Sequence, residues 1–389
     1  MEARIVVLGA GLVGRAIAID LKKSGNAVTA VDLNRDNLML LEEEADLETR
    51  QADFTDRRVL RPLLKHADIV VGAAPGSLGF KVMENVIGLG RNLVDISFCP
   101  EDFMELDALA RTKGVTAVAD MGVAPGICNT ILGYHDKRME VHSYKCVVGG
   151  LPVRRGWPLE YKSSWSPIDC IEEYTRPARF RISGKEVVKP ALSDAELVEF
   201  ERIGTLEEWN SDGLRSLLKT MPHIPDMVEK TLRYPGTINY IRALRDLGYF
   251  SHEPIELNGT MISPVDLTAR LLFPRWKLEK GEREFTIMRI IIEGKEEGES
   301  KTCQYELYDE YDPVTDTLSM ARTTGYSCTG VVNLVLRGMI KEKGVLPPEK
   351  VGVTEENFTF LMHHLRERGV EFKVRSAVDS PENLPPAAD

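Results

Sequence analysis

The stretch RIVVLGAGLVGRAIAIDLKKSGNAVTAVDLN, residues 4–34, decides the fold. It sets Gly9, Gly11 and Gly14 between a β-branched run and an apolar segment of helical spacing. Glycine costs about 0.5–1 kcal/mol relative to alanine in regular structure. Three within six residues mark a place that needs bare backbone. Residues 4–8 predict a buried parallel strand. Leu12, Val13, Ala16, Ile17 and Leu21 predict a helix over 12–24, with Gly25 suited to the position just past its end. Residues 27–32 predict a second strand. In this setting Gly9 permits the tight turn, Gly11 lets a pyrophosphate approach the main chain, and Gly14 allows close helix–strand contact. The phosphates would meet the first N–H groups of the helix, at Leu12 and Val13, where the dipole favours negative charge. Asp32 ends the second strand 18 residues after Gly14. A carboxylate there accepts hydrogen bonds from an adenosine ribose and repels a 2′-phosphate. NAD is therefore the expected cofactor, with NADP tolerated through Arg35.

Outward from this core, further strands are predicted at 69–71, 92–96 and 115–119, with helices at 80–89 and 101–113. Alternating strand and helix argue an α/β fold, a Rossmann-type doubly wound parallel sheet. In QADFTD (51–56), Asp53 and Phe54 are placed to line an adenine pocket. In GAAPG (72–76), Ala73, Ala74 and Pro75 would let ribose and nicotinamide pass close to the backbone. The acid-rich EEEADLE (42–48) reads as a solvated helix face.

Beyond residue 140 the rhythm changes. Strand-like stretches at 143–148, 178–182, 284–293 and 302–311 point to an α+β domain with a mixed or antiparallel sheet. The last two, joined by GKEEGES, read as an antiparallel hairpin. Helices at 329–343 and 354–368 and a strand at 370–374 are read as returning to the first domain. The expected division is 1–125 for dinucleotide binding, 126–325 for substrate and oligomerisation, 326–378 for the returning elements, and a disordered tail over 379–389.

Composition narrows the function. The chain has 389 residues, 43% of them hydrophobic, a length suited to two domains. A net charge of −11, with no basic run, argues against nucleic acid. No apolar run approaches the ~20 residues of a membrane span. Met1-Glu2-Ala3-Arg4 leads straight into a strand, so no cleavable signal is expected and a cytoplasmic location is. The six cysteines are widely spaced, without Cys-x-x-Cys. Reduced, buried thiols and no metal site are expected.

VADMGVAPGICN (118–129) and TLRYPG (231–236) resemble segments of the saccharopine dehydrogenase-like superfamily, and that resemblance implies chemistry at an amine carbon. Hydride loss from an amine carbon needs a neutral amine and leaves an iminium cation. A nearby carboxylate serves both needs. Asp95 and Asp120 close successive predicted strands on the crevice side of the sheet and are the candidate catalytic acids. Arg233 offers a planar fork for a substrate carboxylate. Tyr161 and Trp165 would wall an aliphatic ammonium chain. Asn129 would hydrogen-bond substrate or cap the helix starting near 127. Lys162 is a base only if buried. His135, His142 and His223 read as surface or structural.

The segments VADMGVAPGICN (118–129), VVGGLPVRRGWPLEY (147–161), TLRYPG (231–236) and MARTTGYSCTGVV (320–332) carry a family resemblance. With them the chain resembles the saccharopine dehydrogenase-like superfamily, and within it the lysine 6-dehydrogenases. The resemblance implies a nicotinamide-dependent oxidoreductase acting on the C–N bond of an amino acid, through oxidative deamination of L-lysine or a similar amine. Saccharopine or carboxynorspermidine-type chemistry is the alternative, and a non-catalytic NAD-binding regulator is an alternative of another class. It also implies an inserted α+β catalytic domain within the nicotinamide-binding domain, C-terminal elements that rejoin the first domain, and a homodimer or higher homo-oligomer. Two features depart from the lysine branch. Thr237 stands where many relatives carry histidine, and SSWSPIDCIEEY (163–174) is closer to the saccharopine branch.

Overall fold

The computed structural model describes residues 2–378. The chain forms two compact units. The first holds the chain up to Tyr134 together with Met320–Val370, and the second is inserted between those pieces.

In the first unit β1 (Arg4–Leu8) leads through the glycine turn to α1 (Leu12–Lys23), then β2 (Ala27–Asp32), α2 (Arg35–Glu44) and β3 (Glu48–Gln51). There follow α3 (Arg57–Leu63), β4 (Ile69–Gly72), α4 (Gly76–Gly88), β5 (Asn92–Asp95), α5 (Asp107–Lys113), β6 (Thr116–Val118) and α6 (Ile127–Asp136). The sheet runs β3-β2-β1-β4-β5-β6, all parallel, with the strand Gly344–Leu346 added beyond β6. The order reverses between β1 and β4, the point at which such sheets open a crevice at the strand carboxyl ends. Val7, Leu8, Ile69, Val70 and Val71 are buried, as strands covered on both faces require. The 42–48 stretch is not one helix face: it holds the end of α2, a turn and the start of β3. Asn34 and Asp56 accept backbone N–H groups at the starts of α2 and α3, which ends each preceding loop sharply.

The returning segment is a helix, Ser319–Leu336, a short turn of helix and a second long helix, Glu355–Glu367. The first of these starts ten residues earlier than periodicity indicated, because Ala321, Cys328 and Val331 continue one buried face. Asp20 on α1 fastens both helices. Its Oδ2 accepts from Thr329 Oγ1 at 2.6 Å and its Oδ1 from Arg368 Nε at 2.7 Å. His364 Nε2 lies 2.9 Å from the same Thr329 hydroxyl. Burial, aided by Arg368 and Arg337, pushes His364 down to about 3.

The second unit is built on one mixed sheet. Its strands are β7 (Glu140–Pro152), β8 (Ala178–Ile182), β9 (Lys185–Lys189), β10 (Glu196–Phe200), β11 (Gly204–Asn210) and β12 (Asp226–Arg233). A separate hairpin, β13 (Ile255–Leu257) and β14 (Thr260–Ile262), precedes β15 (Glu284–Glu296) and β16 (Glu299–Glu310). The main order is β10-β11-β12-β7-β15-β16, closed by the strand Phe372–Val378. That last strand pairs antiparallel with β16 and belongs to this sheet, not to the first domain as its sequence position implied. The β15–β16 turn is only Glu297-Gly298, both at positive φ, so the strands reach further into GKEEGES than expected. Helices α7 (Pro167–Thr175), α8 (Leu217–Thr220), α9 (Thr237–Asp246) and α10 (Pro264–Trp276) complete the unit. Its helical core gathers Tyr161, Tyr174, Trp209 and Trp276. The expected tail, 379–389, lies outside the described residues.

Removing one member of a buried ion pair costs about 3–5 kcal/mol. Asp20→Ala is therefore expected to lower the unfolding free energy of the first unit by several kcal/mol, read from urea titrations followed by circular dichroism. The neutral, buried His364 adds an acid sensitivity. Its pKa falls from 6.5 when unfolded to about 3, so stability drops as pH falls from about 6.5 towards 3. His364→Gln is expected to flatten that part of the profile.

Candidate active site

The glycine turn is packed backbone against backbone. Gly9 has φ of +110°, and a Cβ there would meet the Ala73 carbonyl oxygen at 2.3 Å. A Cβ on Gly14 would lie 2.0 Å from the Gly9 carbonyl oxygen. At Gly11, by contrast, a Cβ would meet nothing within 4 Å. The loop is thus closed on its protein side and open on its outer side. Gly11 caps α1 without any side-chain hydrogen bond, which leaves the first helical N–H groups to an external anion. Leu12, at that helix start, is exposed and Val13 is half-buried. These residues fit a dinucleotide diphosphate.

The end of β2 is set for a ribose. Asp32 Oδ2 accepts from the Ala10 N–H at 2.7 Å, and Oδ1 accepts from the Asn34 N–H at 2.7 Å. The carboxylate is thereby held against the glycine loop. Arg35 is turned away from it. Its guanidinium makes a two-pronged contact with Glu42 at 2.7 and 2.8 Å, which raises the arginine pKa and lowers that of Glu42.

The second loop, Ala73–Pro75, meets the first through Ala73, whose N–H donates to Leu8 O at 2.8 Å. Ala74 is buried and Pro75 is exposed at the start of α4. Phe54 is buried in the apolar core under the sheet edge, whereas Asp53 is exposed. Asp53 Oδ1 accepts from Thr55 N–H and Oγ1, and those bonds lower its pKa.

Beyond the switch point lies an acidic pair. Asp95, at the end of β5, is fully buried. Its Oδ1 accepts the Ser97 N–H at 2.7 Å, while Oδ2 has no hydrogen-bond partner. That free oxygen sits where a side chain on Gly72 would be, 1.8 Å from the position of a Cβ. Burial, with the charge of Asp120 adding to it, pushes the Asp95 carboxyl up to about 7. Asp120 follows β6, is buried, and takes a positive φ of 54°. The Ser97 side chain is buried beside the Asp95 carboxyl, a neighbour that sequence reasoning did not single out. Its only signal was its place two residues after Asp95. Asn129 turns its side chain back within the first unit. Its Oδ1 accepts from Gly126 N–H at 3.2 Å and its amide lies 3.5 Å from Glu349, so it braces the turn before α6.

In the second unit Arg233 lies in an aromatic cluster. Its guanidinium is 4.3 Å from the Tyr161 ring centre, 5.7 Å from Tyr174 and 5.9 Å from Trp209. The fork is occupied: Nη2 donates to Glu173 at 2.9 Å, Nη1 to Leu232 O at 2.8 Å and Nε to the Tyr174 hydroxyl at 3.3 Å. Glu173 is the partner that sequence reading did not see. Tyr161 is buried, with its hydroxyl 3.1 Å from Cys170 Sγ, and burial drives both groups' pKa values up. Trp165 is partly buried against the same cluster. Lys162 donates to Lys277 O and is paired with Glu282, so it is no free base. Thr237 Oγ1 donates to Leu159 O at the start of α9. His135 is bonded to Tyr305, and burial pushes it down to about 4; His142 and His223 face Glu140 and Asp136. All six cysteines are buried and none forms a disulfide.

Comparison with known proteins adds the family. Residues 5–118 match the saccharopine dehydrogenase NADP binding domain, and residues 117–370 match the saccharopine dehydrogenase C-terminal domain. A saccharopine dehydrogenase [NADP(+), L-glutamate-forming] of Pyricularia oryzae is 24% identical, over 95% of this chain and 98% of its own. The mitochondrial alpha-aminoadipic semialdehyde synthase of Bos taurus is 30% identical over 82% of this chain and 42% of its own. A carboxynorspermidine synthase of Vibrio cholerae is 22% identical over 80% of each. The apo saccharopine dehydrogenase (L-Glu forming) structure from Saccharomyces cerevisiae matches with TM-score 0.77 and 21% identity, covering 97% of this chain and all of that one. No helix of the described residues is long and apolar enough to cross a membrane.

The raised Asp95 carboxyl has a thermodynamic signature. Its native pKa of about 7 exceeds the ordinary 3.8, so the contribution it makes to stability is complete below pH 3.8 and is lost as pH rises through 7. Asp95→Asn is expected to gain on the parent protein between pH 4 and 8, by an amount on the order of 4 kcal/mol. Denaturant titrations across that range measure it.

Proposed function

The chain belongs to the saccharopine dehydrogenase family of nicotinamide-dependent oxidoreductases, and from that premise we propose that it oxidises the carbon of an amino-acid C–N bond. The leading substrate is L-lysine or a similar amine, with NAD preferred over NADP. The observation that carries this reading is the free, buried Oδ2 of Asp95, poised near neutrality beside Asp120.

When bound, the nicotinamide supplies the hydride acceptor. The residues of this chain do the rest. The glycine turn binds the diphosphate through backbone N–H groups. Asp32 orients the ribose and disfavours a 2′-phosphate. Asp95 Oδ2 takes a proton from the substrate ammonium, leaving the neutral amine from which a hydride departs. The charge of Asp120 favours the iminium cation that results, and burial of both acids strengthens that attraction. In the second unit Arg233 is paired with Glu173, which fills its fork. The partly buried Trp165 and the ring of Tyr161 belong to the aromatic core of that unit, where Arg233 covers the Tyr161 face. The reading includes a homodimer and a cytoplasmic location.

A second reading, cleavage of a secondary amine of the saccharopine or carboxynorspermidine type, is favoured by the names of the relatives. The two part on one assay. Formation of NADH at 340 nm from lysine alone supports deamination. A strict need for saccharopine, or for 2-oxoglutarate in the reverse direction, supports the second reading and removes the first.

Two variants test the roles. Asp32→Ala is expected to shift the NAD to NADP affinity ratio towards NADP by roughly tenfold or more, the scale of a hydrogen bond to a charged group. An unchanged ratio in fluorescence titrations of NADH and NADPH removes Asp32 from cofactor choice. Asp120→Asn is expected to lower kcat by about 10² or more while leaving the Kd for NADH within a few-fold. Near-normal turnover removes it from the site.

A further inference from the structure

Three helices of the first unit end at one place. Ser24 follows the carboxyl end of α1, Asn333 lies in the last turn of the helix Ser319–Leu336, and Glu367 closes the helix Glu355–Glu367. Side chains from all three ends line one cavity of about 240 Å³. That is below the roughly 300–1,000 Å³ of sites for drug-sized ligands, which restricts an occupant to a small molecule. The cavity is not the cofactor crevice. The glycine turn opens α1 and Ser24 follows its far end, and the 12 residues between them span roughly 18 Å of helix.

Part of the polar lining is already bonded. Arg368 donates from Nε to Asp20 at 2.7 Å, from Nη1 to the His364 carbonyl at 3.1 Å and from Nη2 to the Ser24 hydroxyl at 3.2 Å. The His364 ring is bonded to Thr329. Three groups remain. Arg337, exposed and one residue past its helix, makes no ion pair and no side-chain hydrogen bond among the described residues. Its guanidinium lies over the Phe360 ring, 4.8 Å from the centre. Asn333 spends its amide nitrogen on Thr329 O at 2.9 Å, which leaves its Oδ1 without a donor among the described residues. Glu367 has one partner there, His363 at 3.5 Å on its own helix.

Arg337 and Glu367 thus carry opposite charges into the same cavity and do not pair with each other. Stacking on Phe360 holds the guanidinium to one place, and the i, i+4 contact with His363 holds the carboxylate to another. The last carbonyls of three helices add negative partial charge to that of Glu367. A simple anion would satisfy Arg337 and be repelled by Glu367. A simple cation would meet the reverse. A small molecule with both signs satisfies both walls.

We propose that this cavity is a binding site for a free α-amino acid in its zwitterionic form. The carboxylate lies on Arg337, whose planar fork suits two parallel N–H bonds. The ammonium donates to Asn333 Oδ1 and to Glu367. The inference stands apart from the reaction proposed above, because Asp95 and Asp120 lie at the carboxyl edge of the sheet and Ser24 lies at the opposite edge, just before β2.

Saturation-transfer difference NMR on the full-length protein tests it, with millimolar L-alanine, L-glutamate and L-lysine as probes. A signal is expected from L-alanine. N-acetyl-L-alanine, which lacks the ammonium, and L-alaninamide, which lacks the carboxylate, are expected to give none. Arg337→Ala and Glu367→Gln are each expected to weaken L-alanine binding by roughly tenfold or more, the scale of a hydrogen bond to a charged group. Both side chains are exposed, so the circular dichroism spectrum of either variant is expected to match the parent. Asp120→Asn is expected to leave the L-alanine signal unchanged. Silence from all three amino acids overturns the site. A signal that survives both cavity substitutions, or that disappears in Asp120→Asn, places the ligand elsewhere and also overturns it. Binding of N-acetyl-L-alanine that depends on Arg337 marks a plain anion site and overturns the zwitterion.

Discussion

The carbonyl oxygens of Gly9 and Ala73 occupy the space that side chains at positions 14 and 9 would fill. This contact of bare backbone with bare backbone governs the first unit. It brings α1 down onto β1 and turns the helix start outward, where no side chain closes it. It also pulls the Ala73 loop against the first turn, which fixes the exit of β4. One strand further, the same device recurs with a different filler. The carboxyl of Asp95 takes the room left by the missing side chain of Gly72. A carboxyl seated that way is buried, and its proton affinity follows from the seat.

Much of the first unit was legible because its signals are local. The glycine spacing, the acid after β2 and the alternation of strand and helix each reflect a constraint between near neighbours in sequence. The places of Asp95 and Asp120 at strand ends could be read for the same reason. What could not be read depends on partners far along the chain. Phe54 was placed beside adenine by its loop position, yet it is a core residue, because α3 draws it under the sheet. The strand Phe372–Val378 could not be assigned to a sheet by propensity, which says nothing about which edge is vacant.

Arg233 shows the limit most clearly. Its residue type and its aromatic neighbours in sequence pointed to a carboxylate receptor. The fold supplies a carboxylate of its own in Glu173, brought from α7, 60 positions earlier in the chain. The arginine is thereby paired inside the core, which offsets part of its desolvation, and stacked on Tyr161. Thr237 is likewise explained by structure. Its hydroxyl holds the Leu159 carbonyl at the first turn of α9, a task that a bulkier imidazole would perform with different geometry.

The fastening of α1 by Asp20 has a consequence for how the protein is made. Thr329, His364 and Arg368 are translated more than 300 residues after the aspartate they bind. At a synthesis rate of about 5–20 residues per second, the nascent sheet waits tens of seconds with one flank uncovered, while the inserted unit emerges and has time to collapse on its own. Emergence of residues 329–368, not of the glycine turn, is then the event that completes the nucleotide-binding half. A stalled or truncated message ending before residue 329 would leave that half a client for chaperones.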